Sequence, residues 1–176
     1  MRALIAFIVF LVGVLGAVGQ GEPTIGEPGL GDSLYPLLGN SGYDVAHYDL
    51  TLDIDMNSHQ IVAEAVIRMR ALHDLTAFNL DFRGLNVDQV SVDDQAAEFS
   101  RDGAELTVTP AVPVAAEAEF TTTIAYSGRP QWVMEPSLGA RIGWNVLRDG
   151  SVFVARQPGG SQTWYPVNDH PADKAT

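Results

Sequence analysis

The chain contains no cysteine among its 176 residues. Disulfides and thiolate metal sites are therefore excluded, and a domain of this length must hold itself together by its core alone. Positive charge is scarce as well. Ten Lys and Arg stand against 22 Asp and Glu, for a formal net charge of −12. That balance argues against nucleic acid and anionic membrane surfaces as partners, because both need basic patches. Helical periodicity is missing after the first residues, so no glycine loop leads into a helix that could cradle phosphate. The histidines His47, His59, His73 and His170 never recur at i, i+4, and none precedes a glutamate. The H-E-x-x-H helix, which sets two imidazoles and a Glu base at one metal, is thus absent. Ser161 follows Gly159-Gly160, but G-G-S-Q lacks the strand-to-helix elbow of a serine nucleophile, and the glycine pair reads as a turn needing positive φ.

One long apolar run is present, and it lies at the start. Met1 and Arg2 precede 16 apolar or small residues from Ala3 to Val18, with Ala17-Val18-Gly19 offering the small side chains that a signal peptidase reads. Residues 1–19 therefore read as a signal peptide, which places the mature chain outside the cytoplasm. The run is shorter than the ~20 residues of a membrane span. An uncleaved leader, which would anchor the chain in a membrane, is the alternative. Residues 20–42 (QGEPTIGEPGLGDSLYPLLGNSG) read as a mobile Gly/Pro-rich linker whose apolar residues dock near Tyr35 to Leu38.

From Tyr43 onward the dominant period is two. Tyr48, Leu50, Leu52 and Ile54 alternate with His47, Asp49, Thr51 and Asp53, which predicts a half-buried strand. Ile61, Ala63, Ala65, Ile67 and Met69 form the return strand of a hairpin. Phe78, Leu80 and Phe82 alternate again, Val87, Val90 and Val92 mark further short strands, and Phe120, Thr122, Ile124 and Tyr126 give another clear run. Asp102-Gly103 and Asp149-Gly150 are tight-turn dipeptides. Ala111 to Glu119 carries Pro113 and reads as a connection rather than a helix. Many short strands with frequent turns predict an all-β domain, an antiparallel sandwich or curved sheet over residues 43–176.

Asp53, Asp55, Asn57 and Glu64 fit the oxygen positions of a calcium loop, but Ser58 stands where that loop needs Gly, and strand-like flanks replace its helices. A polar hairpin tip explains the same residues. Scattered His and Asp leave a composite zinc site as the residual metal reading.

The last residues read Q-P-G-G-S-Q-T-W-Y-P-V-N-D-H-P-A-D-K-A-T. Gln157, Tyr165, Pro166, Asp169, Pro171, Lys174 and Ala175 match a Gln/Glu-Ala…Phe-Pro-x-x-Asp-x-Pro-x-x-Lys-Ala signature. This resembles the N-terminal domain of the aminopeptidase N family of zinc metallopeptidases. Gly42 to Leu50, Leu80 to Val92 and Thr121 to Pro130 resemble other segments of that domain in the same order. Two places depart from the pattern: Pro158 stands for the usual Ala, and Gln162 lies near the place of an expected Arg.

The resemblance implies an antiparallel β-sandwich or saddle-shaped sheet, incomplete at its C-terminal end, in a chain that stops before the catalytic domain. It implies that Gln157 binds the α-amino group of a peptide N-terminus, since a carboxamide oxygen accepts hydrogen bonds from an ammonium. Read without the resemblance, Gln157 is a loop-capping amide. Zinc would belong to the complete enzyme, with no catalytic residue and no metal ligand in this chain. Asp169 and Lys174 are expected to be structural, Asp169 bonding nearby backbone N–H groups and Lys174 pairing with an acid or carbonyl. Trp164 and Tyr165 are expected in the core or at a domain interface. The resulting expectation is the substrate-facing domain of a secreted metalloaminopeptidase. The alternative is a non-catalytic secreted or cell-surface β-sandwich binding module.

Overall fold

The computed structural model describes residues 24–36 and 38–176. The leader read over residues 1–19, the first residues of the linker and Leu37 lie outside the described residues. Twelve strands account for almost all the regular structure: β1 Thr24–Ile25, β2 Tyr43–Asp55, β3 Gln60–Ala71, β4 Leu75–Asp81, β5 Asn86–Val92, β6 Gln95–Ala96, β7 Glu98–Asp102, β8 Glu105–Thr109, β9 Glu119–Gly128, β10 Trp132–Glu135, β11 Ala140–Val146 and β12 Val152–Ala155. A 3-10 helix spans Ser161–Thr163. No described helix is long and apolar enough to cross a membrane.

Two sheets make the sandwich. One runs β2-β3-β9-β5-β6 and the other β1-β4-β8-β7. Alternation explains the first. On β3, Ile61, Ala65, Ile67 and Met69 turn inward and are at most 2% exposed, while Val62, Glu64 and Arg68 face out. On β9, Phe120, Thr122, Ile124 and Tyr126 do the same. The two sheets meet through edge-to-face aromatic pairs, which suit the ring quadrupole. Phe78 of β4 meets Tyr43 of β2 and Phe120 of β9, and Phe82 meets Tyr126. The sandwich expected from the alternating sequence is thus the observed fold.

Two bulges account for broken phases in the sequence. The register of β2 against β3 shifts between Val45 and His47, so Tyr43 and Val45 point inward before the shift, and Tyr48, Leu50 and Leu52 after it. Ile54, also expected inward, is 38% exposed at the hairpin end. The shift in β5 between Val87 and Gln89 explains why Val87 and Val90 lie three apart. A bulged residue absorbs one position, and a single strand replaces the separate short ones expected.

β4 is buried on both faces, which simple alternation does not announce. Phe78, Leu80 and Phe82 fill the core, and Ala77, Asn79 and Asp81 on the other face are buried too. Part of the segment read as a linker covers them. β1 pairs in parallel with β4, Gly26 N donates to Ala77 O, and Asn79 Nδ2 donates to Gly26 O at 2.9 Å. Asn40 is fully buried, and Leu38 packs against Gly159. Residues 24–36 and 38–42 are thus fastened along the domain through backbone pairing, and within the stretch expected to dock it is Leu38 that packs on the domain.

A third sheet, β10-β11-β12, extends from the sandwich. Ile142 and Trp144 are buried, whereas Trp132, Met134 and Phe153 are exposed. Arg141 stacks on Trp132 with its guanidinium 4.0 Å from the ring centroid. The hairpin turn at Asp149-Gly150 joins β11 to β12 as expected, and Asp102-Gly103 joins β7 to β8.

Candidate functional site

β12 ends at Ala155, and the chain then turns back on itself. Gly160 N donates to Arg156 O at 2.7 Å, which closes the turn that carries Gln157. The Gln157-Pro158 peptide bond is cis. Gln157 is exposed, and among the described residues its side chain makes no protein hydrogen bond. The carboxamide is therefore free to meet a ligand.

The glycines of this turn serve a different purpose from the one expected. Gly160 has φ −87°, an ordinary conformation, and Gly159 is not in the positive-φ region either. Close approach requires them instead. A Cβ on Gly160 would collide with the backbone oxygen of Ala155 and lie 2.8 Å from Gly143 N. The turn is bolted to β11 by Thr163, whose Oγ1 accepts from Trp144 N at 3.2 Å and donates to Gly160 O at 2.8 Å.

After the 3-10 helix the chain forms a strap over the sandwich. Asp81 and Val167 pair through reciprocal backbone bonds at 2.8 and 3.0 Å. Asp81 Oδ2 accepts from Asn40 Nδ2 at 3.2 Å and from Asp169 N at 3.0 Å. Asp169 Oδ2 accepts from Gln162 N at 3.2 Å, the structural backbone bond expected of it. Asn168 Oδ1 accepts from Asn40 N, and its Nδ2 donates to Asp173 Oδ2, both at 2.6 Å. Lys174 corrects the sequence reading. It is exposed and takes part in no salt bridge among the described residues. Trp164 and Tyr165 pack as expected, in an aromatic row that runs from Trp144 through Trp164 and Tyr165 to Tyr48.

Burial sets the charge state of this strap. It pushes the Asp81 carboxyl up to about 6 and Asp169 up to about 7, against the hydrogen bonds that favour their ionised forms. A cavity of about 420 Å³ opens beside them, lined in part by Tyr48, Arg156, Ser161, Tyr165, Asp169 and His170. The Gln157 turn adjoins it through Arg156.

The calcium reading fails on geometry. Asp55 instead accepts from Asn57 N and Ser58 Oγ and organises the β2–β3 turn, and these bonds hold its carboxyl below the usual range. Among the described residues no group of three or more His, Cys, Asp or Glu could hold a metal. The composite zinc site is not formed there. Within the buried network of Asn40, Asp81, Asn168 and Asp169 only Asp169 had a signal in the sequence, because the others find partners in segments far apart in the chain.

No protein-family model matches the chain. Solved structures do. An M1 zinc metallopeptidase from Deinococcus radiodurans, as an E323A mutant bound to a Tyr-Ser-Ala substrate, superposes with a TM-score of 0.76 at 29% identity. The match covers 84% of this chain and 34% of that one. A two-domain M1 zinc metallopeptidase E323A mutant bound to L-tryptophan gives a TM-score of 0.77 at 29% identity over the same shares. Yeast LTA4 hydrolase in complex with bestatin shares the fold, with a TM-score of 0.57 at 22% identity, over 76% of this chain and 22% of that one. The chain thus spans about a third of the length of the M1 structures it matches. In fold and sequence it is similar to the N-terminal domain of M1 zinc metallopeptidases.

Proposed function

We propose that this chain is the N-terminal, substrate-facing domain of a secreted metalloaminopeptidase, which removes N-terminal residues from peptides. The observation that carries the reading is the likeness to M1 zinc metallopeptidases over 84% of the chain at 29% identity. The peptide and amino acid ligands of those neighbours support a peptide substrate. Zinc would be held by a separate catalytic domain, a reading supported by the match to only 34% of the length of an M1 zinc metallopeptidase.

Gln157 is assigned the α-amino group of the substrate. Its exposure and free carboxamide support the assignment, and the bolted turn beneath it supports a fixed position. The contact selects chain ends, because an internal peptide nitrogen carries no charge for the oxygen to meet. The leader sequence supports export.

Two measurements test this. In the complete peptidase, Gln157→Ala is expected to lower kcat/KM for free-amine peptides about 10- to 100-fold, the loss of one hydrogen bond to a charged group. It is also expected to shrink the preference for free over N-acetylated substrates. An unchanged preference would remove Gln157 from the site. The 176-residue chain by itself is expected to leave an alanyl chromogenic substrate intact even with stoichiometric zinc. Hydrolysis there would refute the assignment of zinc to a separate domain.

A further inference from the structure

Acids gather where the strap meets the sandwich, two of them buried and two half-buried, with the buried His170 side chain beside them. Asp81 and Asp169 are 1% and 7% exposed. Glu105, at the start of β8, lies directly across the ladder from Asp81, so the two side chains share one face. Asp173 is tied to Asn168 on the strap itself. None of these four acids takes part in a salt bridge among the described residues.

The charged neighbours can be named for each. Asp81 faces Glu105, Asp169 and His170. Asp169 faces Asp81 and Arg156, while Asp173 faces Asp44 and His170. His170 Nε2 lies 3.9 Å from Asp32 Oδ2 on the residue 24–42 segment. Like charges therefore dominate the set. Four buried oxygens of the network also lack partners, Asn40 Oδ1, Glu105 Oε2, Gln162 Oε1 and Asp173 Oδ1, and the Asn40 side chain lies against the Glu105 carboxyl.

We propose that Asp81, Glu105, Asp169 and Asp173 form a proton-held latch. Protonated, it clamps the strap Trp164–Asp173 and steadies the Gln157 turn joined to it by the 3-10 helix. As the acids ionise, their mutual repulsion loosens the strap from β4 while both sheets stay folded. The latch goes beyond the peptidase reading and does not depend on it.

The direction follows from linkage. Burial raises Asp81 and Asp173 to about 6, and Glu105 and Asp169 to about 7, from ordinary values near 4. The closed state thus binds protons more tightly than the open one. Its advantage is complete below the ordinary carboxylate range and is lost as pH climbs through about 6 to 7. Adjacent acids titrate as a set.

Amide hydrogen exchange on the 176-residue chain tests the latch. Corrected for intrinsic rates, the protection of Val167 and Asp169 is expected to fall at least about tenfold between about pH 5 and about pH 8. Amides in the middle of the β3–β9 ladder should keep theirs. Glu105→Gln, which preserves shape but cannot ionise, should remove most of the loss, and His170→Asn should leave it in place. Protection that holds or rises with pH overturns the latch. So does a pH effect that survives Glu105→Gln and vanishes in His170→Asn. If Glu105→Gln does not fold, carboxyl-carbon titration of the unsubstituted chain decides. Midpoints above about 5.5 for Asp81, Glu105 and Asp169 support the latch, and midpoints all below about 4.5 overturn it.

Discussion

Phe78→Ala is expected to lower the unfolding free energy by about 3–5 kcal/mol. Phe78 is fully buried where the two sheets face each other. Its ring meets Tyr43 at 5.7 Å and Phe120 at 5.4 Å, centroid to centroid, both edge-on. Those partners belong to β2 and β9, and each is fixed by a long ladder to β3. Tyr43 is held further by its hydroxyl, which donates to Asn79 O at 2.6 Å. The walls of the new cavity therefore have little freedom to close in, which puts the cost toward the upper end of the range. A domain stable by about 5–15 kcal/mol would lose much of its margin. Urea unfolding read by circular dichroism gives the number, with Phe99→Ala as the control. Phe99 is 43% exposed, and its loss should cost about 0.5 kcal/mol or less. A loss under about 1.5 kcal/mol at Phe78 would mean that the sheets are not packed as described.

Gly160→Ala is expected to cost about 3 kcal/mol, for a different reason. The backbone of Gly160 is in a region open to any residue, so no dihedral penalty arises. The added methyl would instead strike the carbonyl oxygen of Ala155 and crowd Arg156 Cα and Gly143 N, both at 2.8 Å. All three are backbone atoms, and no rotamer change can move them aside. The turn must shift bodily, carrying Gln157 with it. Gly139→Ala makes the contrast. A Cβ there meets open space, and only its φ of +60° penalises the change, by about 1 kcal/mol. Thermal unfolding of the two variants separates collision from torsion. On the proposed function, Gly160→Ala should also depress kcat/KM in the complete peptidase by disturbing the amine-binding turn. Equal stability losses at the two glycines would refute the close packing of this turn against β11.

Strands that bury one face and wet the other were legible in the sequence. β3 and β9 carry unbroken alternation, and Ile61 to Met69 turn inward as their spacing requires. The bulges in β2 and β5 hid the strand phase, because one extra residue exchanges the two faces. β4 was legible only in part. Its second face is buried under residues 24–42 and the strap, and the polar Asn79 and Asp81 there look solvent-facing until their partners are known. The segment rich in Gly and Pro read as spacer for the same reason. Its order comes from backbone pairing with β4, which leaves no trace in side-chain pattern.

The site divides in the same way. Gln157 was legible through a family resemblance, since an exposed amide in a turn has no periodicity to betray it. Of the acid network only Asp169 was legible, through its own backbone bond. Asn40, Asp81 and Asn168 bond across separations of 41 to 128 residues. Only the folded chain brings them together.

The three tryptophans occupy three distinct settings, and this gives the molecule its own optical gauge. Trp132 lies open to water under the Arg141 guanidinium, Trp144 is 5% exposed, and Trp164 sits 6.2 Å from Trp144 on the polypeptide leading into the strap. Indoles that close couple their electronic transitions, and the coupling fades quickly as they part. Detachment of the C-terminal stretch should therefore weaken the near-ultraviolet tryptophan dichroism while the far-ultraviolet β signal persists. Collapse of the whole sandwich should erase both together.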